Sequence, residues 1–362
     1  MEAAIVHDYL TQRGGAERVV LSLSRMLPDA PIHTSLYEPS GTYPEFGDRQ
    51  IHCSPLNRLP QLRSRHRLAL PLLAPAFSAM HVNAEVTVCS SSGWAHGVRT
   101  SGSKVVYCHA PARWLYQSAA YTAESSVAVR SALALLRTPL LRWDRRAARS
   151  ADVYVVNSTR TREMVRDAYG IDSEVIHPPH GICETGTEIP VENLDPGFFL
   201  CVSRLLPYKN LEALLGAFAY LSTERLVIVG SGPDRDRLRA LATANVTFLH
   251  DVPDGQLQWL YSKAEALFAV GLEDFGLTPI EAASFGVPTI ARPFGGYLDT
   301  VIEGVNGRFL LGLGPVDIEV AIRELRLDSL PPDGVRRSSE RFSESEFANR
   351  MSEAIQRARR DG

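Results

Sequence analysis

The stretch Gly271-Leu-Glu-Asp-Phe-Gly-Leu-Thr-Pro-Ile-Glu281 decides how this chain is read. It sets two carboxylates, Glu273 and Glu281, eight positions apart around a strand-to-helix turn. Residues 266–270, just before it, form the unbroken apolar run of a parallel strand buried on both faces. Thr278, Pro279 and Glu281 fit the N-cap, first and third helical positions, and Thr-x-x-Glu reads as a capping box. The backbone amides of Phe275, Gly276, Leu277 and Thr278 are then expected at a helix N-terminus, which favours an anion. Carboxylates on either side of an amide cradle suit a ligand with phosphate in the middle and hydroxyls at both ends, such as a nucleotide sugar. Glu281 has the cap as a competing duty. Glu273 has no comparable structural duty and is the better candidate for a ligand hydroxyl.

Outward from this stretch the C-terminal half alternates. Strands are expected at 198–203, 225–229, 246–249, 266–270 and 288–291, with helices at 211–221, 234–242, 256–262 and 278–285. The N-terminal half repeats the pattern less regularly, with strands at 3–7, 32–36, 85–89, 104–108, 153–156 and 174–176 and helices at 17–26, 127–149 and 160–169. Such alternation means βαβ units and parallel sheets. His177-Pro-Pro-His-Gly181 opens a stretch too rich in Pro and Gly for a helix or central strand, and reads as a hinge. The expected organisation is an N-terminal Rossmann-like domain (1–180), a linker (181–196), a C-terminal Rossmann-like domain (197–342) and a last helix (343–362) that packs back on the first domain. The two domains are expected to face each other across a cleft, with ligand at the carboxyl ends of the strands.

Other candidate residues fall at those strand ends. Arg204 and Lys209, in Ser203-Arg-Leu-Leu-Pro-Tyr-Lys-Asn210, end a strand and begin a helix. Two cations there can neutralise a diphosphate leaving group. A cation at a helix start is disfavoured by the dipole, which weakens a purely structural reading of Lys209. Gly14-Gly15 follows the first strand and lets backbone approach a phosphate closely, although a tight turn without ligand explains it as well. No Lys-Ser/Thr follows, so it is not a P-loop. Gly230-Ser-Gly232 invites a dinucleotide reading, but position 235 is Arg, where a third glycine belongs. His109 lies just past the strand at 104–108, and His7 and Asp8 end the first strand.

Composition excludes several classes. The 362 residues are 45% hydrophobic and 22% charged, an ordinary globular balance. Residues 1–190 carry 20 Lys and Arg against 17 Asp and Glu, the remainder 18 against 24, so neither half is basic enough to argue nucleic acid. Cys53, Cys89, Cys108, Cys183 and Cys201 are odd in number and form no C-x-x-C, as expected of free thiols in the cytoplasm. No signal peptide or membrane-spanning run is expected. Two segments are basic and apolar at once. Residues 49–84 hold Arg49, Arg58, Arg63, Arg65 and Arg67 without an acid, and 130–149 hold six arginines from Arg130 to Arg149 against Asp144 alone. They read as contacts to an anionic membrane surface, or as solvated faces of packed helices.

Together these residues resemble the retaining family-4 glycosyltransferases of the GT-B fold, over nearly the whole chain. Glu273-x7-Glu281 with Arg204 and Lys209 carries the resemblance, and Gly14-Gly15 and His109 are similar to the family's phosphate loop and active-site histidine. His7-Asp-Tyr-Leu10, Gly14-Gly-Ala-Glu-Arg18, Tyr107-Cys-His-Ala-Pro111 and Glu273-Asp-Phe-Gly276 look most like a bacterial subgroup that adds mannose from GDP-mannose to polyprenyl-diphosphate-linked glycans. Asp299 departs from the family, which more often has Glu in the segment Gly295-Gly-Tyr-Leu-Asp299.

The resemblance implies roles. Glu281 would hold the ribose, Val252 would lie near the base, and Arg204, Lys209, Gly14, Gly15 and the amides of Phe275, Gly276, Leu277 and Thr278 would hold the diphosphate. Glu273 would hold the sugar and His109 would meet the reaction centre, with Asp8 and Arg113 on the acceptor side. No cofactor or metal is expected, since Arg204 and Lys209 supply the charge and Asp234-Arg-Asp236 falls inside a helix. The expected place is cytoplasmic, peripheral on the inner face of a membrane. Other readings are a UDP- or dTDP-sugar transferase for small acceptors, a nucleotide-sugar epimerase or phosphorylase, and a glycoside hydrolase. The last would need two carboxylates but neither Arg204 nor Lys209.

Overall fold

A computed structural model of the chain describes residues 2–64, 66–116, 127–181 and 186–361. The chain divides into two compact units, Met1–Pro179 with Glu344–Gly362, and His180–Ser343.

The first unit holds β1 (Ala3–His7), β2 (Ile32–Thr34), β3 (Ile51–Cys53), β4 (His81–Val82), β5 (Val86–Ser91), β6 (Arg99–Thr100), β7 (Ser103–Cys108), β8 (Val153–Val156) and β9 (Glu174–Val175). Seven of these form a parallel sheet in the order β3-β2-β1-β5-β7-β8-β9, with β4 and β6 paired apart. Strand order reverses between β1 and β5, so their carboxyl ends flank a switch point. Alternate residues feed opposite faces. Ile5 joins a core with Val19, Val88 and Val105, whereas Ala4 and Val6 join one with Phe77, Trp94 and Val106. Both faces are covered, which is why the strands read as continuous apolar runs.

The last helix, Glu344–Asp361, belongs to this first unit. Phe347, Met351, Ala354, Ile355 and Ala358 are buried in its core, and Phe347 meets Tyr107 edge-on with ring centroids 5.7 Å apart. Arg350 and Arg357 both pair with Glu174 of β9.

The two basic segments are partly interior. Leu73, Ala74 and Phe77 of the helix Leu70–Ala79 are buried, while Leu59, Leu68 and Leu72 stay exposed. Arg63 pairs with Glu38 at 3.5 Å; Arg65 and the side chains of Arg67 and Arg130 lie outside the described residues. In the helix Val127–Ala148, Asp144 is fully buried, within 2.9 Å of His96 Nε2 and of the Tyr116 hydroxyl. Arg145 and Arg149 donate to the carbonyls of Ala168 and Tyr169, which end the helix Thr159–Tyr169. Cations there satisfy orphan carbonyls and the dipole. Two of the arginines read as surface charge are therefore caps for a neighbouring helix.

The second unit holds β10 (Phe198–Val202), β11 (Leu226–Val229), β12 (Val246–Leu249), β13 (Ala264–Ala269), β14 (Thr289–Ala291) and β15 (Gly307–Phe309). They form one parallel sheet in the order β12-β11-β10-β13-β14-β15. Here the switch point lies between β10 and β13. The stretch expected as a linker falls within this unit, with Ile189 N donating to Gly255 O. Asp234 is the N-cap of the helix Arg235–Leu241, so Asp234-Arg-Asp236 opens a helix rather than lying inside one. Among the described residues, Cys53 is an exposed free thiol and Cys89, Cys108 and Cys201 are buried ones; Cys183 lies outside them. No described helix is long and apolar enough to cross a membrane.

Candidate active site

In the second unit the loops after β10 and β13 are laced together. Leu272 N donates to Tyr208 O at 3.1 Å, and Asn210 Nδ2 donates to Val270 O at 3.0 Å. Lys209 sits in the short 3-10 turn Pro207–Lys209, ahead of the helix Leu211–Tyr220. Its ammonium bonds to the Glu273 carboxylate and lies 5.1 Å from the centre of the Tyr208 ring. Glu273, expected to have no structural partner, therefore has one. The two residues are 64 positions apart, and only the sheet order brings them together. The Lys209 side chain is 6% exposed and that of Glu273 30%, so the pair sits at the rim with the carboxylate outward. Arg204 is exposed beside it and donates to the Tyr208 hydroxyl at 2.9 Å.

The helix after β13 is Thr278–Ser284. Leu277, already in right-handed helical conformation, is its N-cap, and its carbonyl accepts from Ile280 N and Glu281 N. Thr278 is thus inside the helix, its side chain makes no cap, and Pro279 follows the first helical residue. The Thr278–Glu281 capping box expected from the spacing does not form. Glu281 turns into the unit instead, 5% exposed, and accepts from the Tyr261 hydroxyl at 2.8 Å. Gly276 has φ +83°, and a Cβ there would lie 2.5 Å from the Tyr297 ring. Tyr297 is 3% exposed and belongs to the Gly295-Gly-Tyr-Leu-Asp299 segment, whose Gly296 N donates to Glu273 O. That segment supports the loop of Phe275, Gly276, Leu277 and Thr278 from behind, a role not legible in its sequence. Val252 is half-buried after β12, following Asp251 with φ +51°.

In the first unit, four side chains meet at the carboxyl ends of β1, β5 and β7. His7 Nδ1 lies 3.1 Å from Ser90 O and 3.0 Å from Ser90 Oγ, and Ser90 Oγ lies 2.7 Å from His109 Nε2. His7 Nε2 is 4.0 Å from Glu17 Oε1, ion-pair reach rather than a hydrogen bond. Glu17 follows Gly14-Gly15 on the helix Gly15–Met26, and a Cβ on Gly14 would lie 2.6 Å from Glu17 Oε2. Gly14 thus makes room for a buried carboxylate, whatever else binds the turn. Burial lowers the His7 pKa, but Glu17, Asp8 and the Ser90 carbonyl outweigh it and hold it above the ordinary histidine value. His109 is pulled down to about 3 by burial and the neighbouring His7.

Asp8 accepts backbone N–H from Ser92 and Ala95, both at 2.6 Å, and is 2% exposed. Both its oxygens hold the loop after β5, so the acceptor role expected of it finds no open carboxylate. Burial raises its pKa, with His7, the two amides and His96 pulling the other way. Arg113 opens the short helix Arg113–Tyr116 and is half-buried. Ser90 and Glu17 were missed as site residues; only their place after a strand and beside Gly14-Gly15 signalled them.

The two doubly wound sheets, each with polar residues at its switch point, define the GT-B class. Residues 13–181 match the family described as Glycosyltransferase Family 4, and residues 185–332 match Glycosyl transferases group 1. The chain belongs to these glycosyltransferases. It is 28% identical over 227 residues to a GDP-mannose-dependent alpha-(1-6)-phosphatidylinositol monomannoside mannosyltransferase of Mycolicibacterium smegmatis, covering 55% of this chain and 58% of that relative. It is 23% identical to an alpha-1,3/1,6-mannosyltransferase of Dictyostelium discoideum, covering 99% of this chain and 98% of that one. Among solved structures it resembles a sucrose-phosphate synthase of Thermosynechococcus elongatus, with TM-score 0.72, 20% identity and 98% coverage of both chains. It also resembles Anabaena HepE in complex with UDP, with TM-score 0.69, 17% identity, and 98% and 100% coverage. At these identities the structural likeness is one of fold.

Proposed function

We propose that this glycosyltransferase moves mannose from GDP-mannose to a hydroxyl of a glycan or lipid-linked glycan, with retention of configuration and without a metal. The observation that carries the reading is the Lys209–Glu273 pair at the second switch point, with Arg204 exposed beside it. An arriving diphosphate competes with Glu273 for Lys209. The freed carboxylate is then available to sugar hydroxyls, and Lys209 and Arg204 stabilise charge on the departing diphosphate. The amides of Gly276 and Leu277 add to that stabilisation, and Glu281, oriented by Tyr261, takes the ribose hydroxyls. The relative named for GDP-mannose favours that donor, and the relative named only as a mannosyltransferase favours the sugar. The structure of Anabaena HepE with UDP makes a UDP-sugar the second reading.

The test is a thermal-shift screen of GDP-, UDP-, ADP- and dTDP-sugars, because a ligand raises stability in proportion to RT ln(1 + [L]/Kd). GDP-mannose is expected to give the largest shift, and transfer assayed with EDTA is expected to proceed at the same rate. A larger shift with UDP-sugars, or loss of transfer with EDTA, overturns the donor or the metal-free reading respectively. Epimer or free sugar from donor alone, with no transfer product, overturns the transferase chemistry.

A further inference from the structure

The hydrogen bonds around Ser90 have only one consistent direction. The Ser90 carbonyl can only accept, so His7 Nδ1, 3.1 Å away, must carry a proton. That proton is shared with Ser90 Oγ at 3.0 Å, which therefore accepts from His7. Ser90 is fully buried, and among the described residues its hydroxyl proton has one remaining neighbour able to accept it, His109 Nε2 at 2.7 Å. A His109 ring that accepts at Nε2 and is neutral carries its own proton on Nδ1. Behind His7, Glu17 Oε1 faces Nε2 at 4.0 Å and favours a proton there too, so the chain cannot easily reverse. Glu17 is 1% exposed, its Oε2 has no hydrogen-bond partner, and its Oε1 faces His7.

We infer that Glu17, His7 and Ser90 form a buried positioning chain that fixes His109 as the Nδ1–H tautomer, so that His109 serves transfer as a hydrogen-bond donor to a substrate oxygen and not as a proton acceptor. The inference rests on the reading of His109 as a residue of the reaction site. Ser90, His7 and Glu17 act only through it. The low His109 pKa agrees, since it keeps the ring neutral through the physiological range.

The experiment uses the full chain labelled with 15N histidine and long-range 1H–15N correlation spectra at neutral pH, which separate the two tautomers and the imidazolium. Ten histidines are resolved, with His109 assigned by its loss in His109→Gln. The expected result is Nδ1 protonated and Nε2 bare at His109. Ser90→Ala is expected to release the tautomer toward Nε2–H and to lower kcat about tenfold, the scale of one net hydrogen bond, with KM for the donor little changed. An Nε2–H or doubly protonated His109 in the unsubstituted protein overturns the inference without any variant. An unchanged His109 spectrum in Ser90→Ala overturns it as well. The spectrum needs no substrate, so it separates from the functional reading. Normal transfer by His109→Gln would remove His109 from the reaction and the donor role with it, while leaving the donor-sugar assignment to the screen.

Discussion

The two switch points are built on the same strand geometry and use their charges in opposite ways. In the first unit Asp8 and Glu17 are almost wholly buried, one holding two backbone amides and the other facing His7. In the second, the Glu273 carboxylate stays at the rim and pairs with a single lysine that a diphosphate can claim. Buried carboxylates that hold backbone fix a shape, because their lone pairs are already used. A carboxylate at the rim, held by one cation, can be exchanged. The first unit uses its carboxylates to hold a loop and a histidine in place, whereas the second keeps one at the rim where it can change partners.

The largest expected effect breaks the comparison on the charged side. Lys209→Ala should lower kcat by about two to three orders of magnitude, near 3 kcal/mol, as for loss of one preorganised charge-stabilising group. Its stability should fall by about 1 kcal/mol, because the Glu273 carboxylate left behind is 30% exposed and can be re-solvated. Near-normal turnover would remove Lys209 from the leaving-group role. Asp8→Ala sharpens the other side. It orphans the amides of Ser92 and Ala95, so stability in urea should drop by about 2 kcal/mol. A drop as small as that of Lys209→Ala would erase the distinction between the two switch points. The smallest effect concerns surfaces. The first unit carries exposed Leu59, Leu68 and Leu72, and Arg58 next to Leu59 in sequence is exposed as well. We propose that this face meets anionic lipid. Arg58→Ser should then weaken binding to phosphatidylserine vesicles by about 1 kcal/mol, and salt should weaken it further. No binding at low salt would dispose of the membrane contact.

Much of the architecture was legible because both sheets are parallel and covered on both faces. The strands β1, β8 and β12 fall on the residues read from apolar runs alone. Residues 51–79 were not legible as a strand followed by helical turns and the helix Leu70–Ala79, since proline and arginine interrupt any period there. The helix Pro315–Asp328 and β15 were also missed, the strand being only three residues long. At the site, residue types were readable and their pairings were not. Lys209 and Glu273 were each singled out, yet their bond depends on β10 lying next to β13. Glu281 was read through its local spacing as a cap, whereas a tyrosine 20 positions away takes its carboxylate. Local spacing cannot report a partner that only the tertiary fold delivers.

The last helix has a consequence for synthesis. Phe347, Met351 and Ile355 complete the core that β1, β5 and β7 begin, so the first unit to leave the ribosome is the last whose core can close. His180–Ser343 has all of its own sheet before Glu344 appears. The earlier strands must wait with one face only partly covered, by the helix Gly15–Met26, until Glu344–Asp361 emerges, a window in which exposed apolar strands invite aggregation or chaperones.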